Sequence, residues 1–365
     1  MSRVILTLLT LFFPISIHAN NNTITFKGYF KDRKDSLDNY RVYMYNNVTR
    51  QKDSAIIHDG AFEINCDFIY PSRYLFYTEF ELRKSGGFLP LAILVDRPGR
   101  IEIQASSNSF ATSAISGAEA NKILEGFLKE LAEKLSVVVK DKKLQDSLKQ
   151  QSTAFPLQTF LKPQYDKLLS QYPNSYATAY ILDKYSLYFD LSTRESFYNS
   201  LGQEGKTMPG AVDFLKRLDT ERKNLAGNLA FLFALPDSNN IQHRLEEYKG
   251  KYILLDFWES TCYNCFVELQ HLKEIQAKYE KNGLIIISIS MDTEKEAWLR
   301  MIRQEKMKWL QLFDKQGAES IGKWKYGVRE FPSIFLIDNE GKIIASKLKG
   351  PPLDAILERI FAVPN

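Results

Sequence analysis

Two of the chain's three cysteines stand two residues apart, in Cys262-Tyr263-Asn264-Cys265. They follow the run Tyr252-Ile253-Leu254-Leu255-Asp256-Phe257-Trp258, which reads as a buried strand. They precede Phe266-Val267-Glu268-Leu269, which reads as the start of a helix. A C-x-x-C between a strand and a helix is the layout of a dithiol/disulfide site. The helix N-terminus offers unpaired N–H groups and a positive dipole end to a thiolate. In that reading the Cys262 thiolate attacks a disulfide, and Cys265, one turn in, resolves the mixed disulfide.

Three further residues belong with the pair. Asp256 lies six residues before Cys262 in the buried strand. Desolvation there raises a carboxyl pKa, which suits Asp256 to accept a proton from Cys265. The plainer reading is a hydrogen-bonded strand-end carboxylate. Glu268 comes three residues after Cys265 and so faces the same side of the helix. It either tunes the thiols or relays protons, or else is an exposed helix charge, and the local pattern does not separate the functional reading from the plain one. Phe331-Pro332-Ser333 precedes a later strand, where a proline removes a ladder donor. A cis peptide at Pro332 makes a tight turn whose backbone is open to an extended substrate segment. A trans proline in an ordinary loop is the other reading.

Other chemistries fit less well. The four histidines, at 18, 58, 243 and 271, do not cluster. A zinc site needs more ligands than one C-x-x-C and a lone His271, which reads as a surface helix residue. A cysteine peroxidase wants a proline and a threonine ahead of its nucleophile; Thr261 is present, but the proline and its spacing are not. No phosphate-binding glycine loop and no Ser/His/Asp motif stands out. No metal and no bound cofactor are expected, the redox group being the Cys262–Cys265 disulfide itself.

The elements that must position these residues follow from the rest of the chain. Its 365 residues suggest two or three domains, and 44% hydrophobic with 25% charged residues is ordinary for globular protein. A net charge of +4 leaves no electrostatic footprint for nucleic acid. Met1-Ser2-Arg3 and the apolar stretch Val4 to Ile17 read as a secretory signal peptide over 1–19. The alternative is an uncleaved N-terminal anchor. The protein is therefore expected in the periplasm or cell envelope. Three cysteines make a poor structural framework in such an oxidising place, so the vicinal pair reads as catalytic.

Residues 20–113 read as a β-sandwich-like domain, with Asp59-Gly60 as a two-residue hairpin turn between strands 54–58 and 61–68. Cys66 falls on its apolar face and reads as a buried small hydrophobe. Residues 114–227 turn to helical periodicity and read as a connector. Ser116 with Glu119 and Ser192 with Glu195 are capping boxes, and Pro163, Pro173 and Pro209 punctuate it. The aromatic-rich stretch Tyr176–Tyr188 reads as packing. Residues 228–365 alternate strand and helix, with continuous apolar strands that imply a sheet covered on both faces.

Asp256-Phe257-Trp258, three residues, Cys262-x-x-Cys265 and the later Phe331-Pro332 together resemble thioredoxin, and more closely the exported TlpA/ResA-like thiol:disulfide oxidoreductases. Glu268 matches the glutamate those proteins carry three residues after the second cysteine. The stretches Ser290–Trp298, Tyr326–Arg329 and Phe335–Ile343 match as well. Over 20–227 the layout is similar to the N-terminal regions of such proteins in Bacteroidetes-type bacteria. The chain departs from the pattern at Thr261, usually Trp, at Tyr263-Asn264, often Gly-Pro or Glu-Pro, at Gln270, usually Pro, and at Ala230-Phe231, usually Ala-Pro.

The resemblance implies a thioredoxin-like C-terminal domain that reduces disulfides in cell-envelope proteins, with a membrane electron donor restoring the dithiol. An oxidase or isomerase, or an envelope binding module with a vestigial dithiol, are the competing readings.

Overall fold

A computed structural model describes residues 22–31, 37–46, 48–85, 89–140, 155–315 and 320–362. The stretch read as a signal peptide, 1–19, lies outside them. Among the described residues no helix is long and apolar enough to cross a membrane. The chain divides into two units, Met1–Lys184 with Leu201–Gly210, and Tyr185–Ser200 with Ala211–Asn365.

Alternation of apolar and polar residues builds the first unit. Strands β1 (Thr23–Phe30), β4 (Ala61–Asp67), β7 (Gly99–Ala105) and β8 (Ala114–Ser116) form one sheet in the order β4-β1-β7-β8. Strands β2 (Arg41–Asn46), β3 (Lys52–Ile56), β5 (Ser72–Thr78) and β6 (Leu91–Val95) form the other, β3-β2-β5-β6. Ile24, Phe26 and Phe30 from the first sheet share one core with Val42, Met44, Tyr74, Phe76 and Ile93 from the second. That is the sandwich the alternation predicts. Helix α1 (Glu79–Ser85) follows β5. Cys66 sits in the core as a free thiol, and burial pushes it up to about 11.

The turn at Asp59-Gly60 forms, with φ of 50° and 69°, but the hairpin does not. Only His58 bridges Ala61; β3 pairs with β2 and β4 with β1, in different sheets. The cause is Ile57. It is fully buried and donates its N–H to Tyr40 O at 2.9 Å, which carries the chain across the sandwich.

Helices α2 (Glu119–Lys140), α3 (Phe155–Gln171), α4 (Tyr176–Tyr185), α5 (Leu191–Asn199), α6 (Gln203–Thr207) and α7 (Pro209–Lys223) follow. Neither expected capping box is made. Ser116 is paired with Glu102 in β8 and cannot cap α2. In α5 the cap is Asp190, which accepts the Thr193 N–H at 2.8 Å, while Ser192 donates its hydroxyl to the same carboxylate at 2.7 Å. Pro163 lies inside α3 rather than between segments. The stretch 114–227 is shared between the units. Arg194 of α5 pairs with Glu221 of α7 at 2.6 Å, and Glu221 also meets Lys347 at 3.1 Å. Asn224 donates to Lys325 O at 2.7 Å. These bonds tie α5 and α7 to the C-terminal unit.

That unit carries a five-stranded sheet, β13-β12-β11-β14-β15. Strand β11 (Tyr252–Trp258) is central, parallel to β12 (Leu284–Ser290), which is parallel to β13 (Leu310–Phe313). Strand β14 (Ser333–Ile337) is antiparallel to β11 and to β15 (Ile343–Ser346). Helices α8 (Tyr263–Tyr279) and α11 (Pro351–Phe361) cover one face, with Leu269, Leu272, Ile275, Leu353 and Leu357 packed on Leu254, Ile286 and Leu336. The other face packs Ile253, Leu255 and Phe257 against Phe233, Leu245 and Tyr326. The continuous apolar strands are explained by this double cover, and the topology is thioredoxin-like. A short pair, β9 (Ala234–Pro236) and β10 (Gln242–Arg244), precedes the sheet; α9 (Lys295–Glu305) and α10 (Ile321–Trp324) lie between its later strands.

Gly28 in β1 faces the sandwich core, where an added Cβ would collide with the Phe62 ring, itself held beside Phe30 and Phe110. Overpacking of that kind predicts that Gly28→Ala costs about 1–3 kcal/mol in denaturant unfolding. An unchanged midpoint would contradict this packing.

Candidate active site

The two cysteines close the start of α8. Cys262 is its N-cap, in extended conformation, and its Sγ accepts the Cys265 N–H at 3.1 Å. Cys262 and Cys265 are joined as a disulfide, with Cα atoms 5.3 Å apart. Cys262 is half-buried, whereas Cys265 is buried with Trp258 and Trp298. The asymmetry follows from the helix: the cap residue stands at the rim, and the residue one turn in points to the sheet. Once the bond is reduced, the same N–H and the helix dipole favour charge on Cys262. Thr261, Tyr263 and Asn264 are exposed around it.

The loop entering the helix is held by a residue that the sequence reading quoted but gave no role. Asp292, buried just after β12, accepts the Ser260 N–H at 3.0 Å and the Ser260 hydroxyl at 2.6 Å. Ser290 donates its hydroxyl to the other Asp292 oxygen at 2.8 Å. This carboxylate fixes the backbone two residues before the nucleophile. Its signal was a polar Ser-Met-Asp ending to an apolar strand.

Asp256 is buried beneath the disulfide, on the α8 face of β11, opposite Ser288 in the ladder. Ser288 donates its hydroxyl to Asp256 Oδ2 at 2.9 Å, and Trp309 donates its Nε1–H to Ser288 Oγ at 2.9 Å. An indole N–H is a donor only, so it directs the serine proton onto the carboxyl. Asp256 Oδ1 has no hydrogen-bond partner among the described residues. Burial pushes the Asp256 carboxyl up to about 7; the Ser288 hydrogen bond pulls the other way, and the charge of Glu268 adds to the rise.

A cavity of about 10 Å³ lies here, lined by Asp256, Cys265, Glu268, Leu269, Met301 and Met307. Glu268 therefore faces inward and is buried, not an exposed helix charge. Its Oε1 lies 2.8 Å from His271 Nδ1, and His271 Nε2 lies 2.7 Å from Asp354 Oδ1 in the first turn of α11. The surface-residue expectation for His271 is thus corrected: the imidazole is clamped between two carboxyl groups because α11 packs beside α8.

The Phe331–Pro332 peptide is cis. Pro332 is buried at the start of β14, and Phe331 packs on the cluster of Trp258, Cys262, Cys265 and Trp298. The structure thus brings all five expected residues to one place: Cys262, Cys265, Asp256 and Glu268 around the helix start, and Pro332 in the adjoining turn.

Comparison with known proteins finds relatives of the C-terminal part of the chain. Residues 226–346 match the AhpC/TSA family. A thiol-disulfide oxidoreductase ResA of Bacillus cereus is 33% identical over 154 residues, 41% of this chain and 87% of that protein. A ResA of Bacillus thuringiensis is 33% identical over 138 residues, 38% of this chain and 78% of that protein. Among solved structures, the thioredoxin domain of a thiol-disulfide oxidoreductase from Bacteroides vulgatus is 31% identical, covers 38% of this chain and 98% of that one, and has a TM-score of 0.35.

The raised Asp256 carboxyl has a consequence for stability. It holds its proton more tightly folded than unfolded, so its contribution is full below the ordinary carboxyl value of 3.8 and is lost as pH rises through about 7. Asp256→Asn removes that loss. The oxidised variant is expected to melt above the parent, by a margin that grows over this window and then levels off. A margin independent of pH in thermal melts would contradict the assignment.

Proposed function

The chain belongs to the ResA-type thiol-disulfide oxidoreductases, and on that footing we propose that it is an exported protein reducing disulfides in cell-envelope proteins through Cys262 and Cys265. The observation that carries the reading is the unequal placement of the two sulfurs over a buried carboxyl with one unpartnered oxygen. Export is supported by the apolar N-terminal stretch.

The exchange runs in two displacements. The Cys262 thiolate attacks one sulfur of the substrate disulfide, forms a mixed disulfide and expels the other sulfur as a thiolate. Cys265 then loses its proton to Asp256 and attacks Cys262 Sγ, which releases the second substrate thiolate. The protein dithiol is oxidised, and the substrate disulfide is reduced to two thiols that take their protons from solvent. Asp256 is suited to its part because its acidity lies near neutrality, where a group both takes and returns a proton. Glu268 tunes it through the charge that raises it. A substrate segment docks along the turn before Pro332, as the packing of Phe331 beside the sulfurs supports. The redox group is the cysteine pair alone, and a membrane dithiol donor returns it to the reduced form.

Purified protein is expected to reduce insulin with a dithiol donor, and Cys262→Ser to be inactive. Equal turnover by both, or none by either, would sink the enzyme reading. Cys265→Ser is expected to accumulate substrates as mixed disulfides at Cys262, identified by mass spectrometry. Asp256→Asn is expected to slow resolution by about a hundredfold. A reduction potential near that of thioredoxin, about −270 mV, supports the reducing direction; one near −120 mV would make the protein an oxidant instead.

A further inference from the structure

Glu268, His271 and Asp354 form a continuous chain behind the dithiol, of which the exchange steps use only the charge of Glu268. Its links are 2.8 Å and 2.7 Å long, well inside hydrogen-bond range. Side-chain exposure rises along it from 11% at Glu268 to 20% at His271 and 45% at Asp354. One end therefore lines the cavity with Asp256 and Cys265, and the other stands in solvent.

The proton count in this chain is informative. Both imidazole nitrogens face carboxyl oxygens, and a neutral imidazole has only one N–H. Two hydrogen bonds thus need two protons, held either as an imidazolium between two carboxylates or as a neutral imidazole beside one protonated carboxyl. The two arrangements differ only by a proton shift along a bond already made. Partial burial pushes the imidazole down, but the hydrogen bonds and charges of Glu268 and Asp354 outweigh it and leave it above the ordinary histidine value. The groups facing the chain are Glu268 from α8, Asp354 from α11 and Asp256 of β11 across the cavity. Nearby cations on α8 are engaged elsewhere, Lys273 with Glu305 and Lys278 with Glu358.

Asp256 needs such an outlet. Cys265 delivers a proton to it at each turnover, and on its other side the Ser288 hydroxyl is fixed as a donor to Oδ2 by the Trp309 N–H. The cavity that Asp256 lines with Cys265 and Glu268 holds about one water's room. We propose that Glu268, His271 and Asp354 are the proton exit of the dithiol, carrying the proton from Asp256 across the cavity and through the imidazole to bulk water. This rests on Asp256 being the proton acceptor. His271 touches no reacting atom and acts as a positioning and relay residue.

The test uses the full chain, reduced, mixed with excess glutathione disulfide and quenched in acid across a range of pH. Mass spectrometry then counts the Cys262–glutathione mixed disulfide and the closed Cys262–Cys265 form. His271→Gln is expected to form the mixed disulfide at the parent's rate but resolve it about tenfold more slowly. Added imidazole is expected to restore most of the loss. Asp354→Asn, an exposed change that spares the interior, is expected to slow resolution in the same direction by a smaller factor. Parent-like resolution and pH profile in both variants would overturn the relay, as would slowing that imidazole does not relieve. A parent that resolves no faster than Asp256→Asn would remove the acceptor on which the relay rests. A parent that forms no mixed disulfide would remove the enzyme reading itself.

Discussion

A carboxyl group buried in the middle of a central strand is the constraint to which the C-terminal unit is fitted. Asp256 interrupts an otherwise apolar face between Leu254 and Trp258. Ionising it there is costly, and the surroundings share the cost instead of abolishing it. Ser288 of the neighbouring strand satisfies one oxygen, and Trp309, just before β13, holds that serine in place. The other oxygen has no partner among the described residues, and Asp256 lines a small cavity with Cys265 and Glu268. A fully satisfied carboxylate would be a strong structural anchor and a poor base. The half-satisfied one gives up stability for a proton affinity near neutrality.

The same economy governs the sulfurs. Their spacing puts one at the helix cap and one a turn inside, so a single element supplies both an accessible nucleophile and a shielded resolver. The geometry needs the incoming loop held still. Asp292 does this by gathering the Ser260 backbone and hydroxyl with the Ser290 hydroxyl. Chemistry at the helix start thus depends on a carboxylate from the end of a different strand.

Much of this was legible in the sequence because it is local. Strands β11 and β12 and the start of α8 follow from apolar run length and the C-x-x-C, and the family resemblance carries Asp256, Glu268 and Pro332 with them. What was not legible is long-range. His271 and Asp354 are 83 residues apart, and nothing in either neighbourhood announces the other. Strand β13 is four residues long and holds a polar Gln311, too short for periodicity to register. The hairpin expected at Asp59-Gly60 failed because turn chemistry reports a local bend and not which sheet each arm joins. The capping boxes failed for a similar reason: Ser116 was recruited to a strand, and Asp190 outcompeted Ser192.

Cys66 gives the architecture another meaning. With its acidity pushed to about 11, roughly one molecule in ten thousand carries the thiolate at neutral pH, and that thiolate is enclosed by the sandwich core. The folded protein therefore contains three cysteine sulfurs but only two competent ones. Electrons entering at Cys262 have a single place to go, and scrambling into a wrong pairing is blocked by inaccessibility rather than by the lack of a third cysteine. The apolar packing of the N-terminal unit acts, in effect, as insulation for a two-electron circuit.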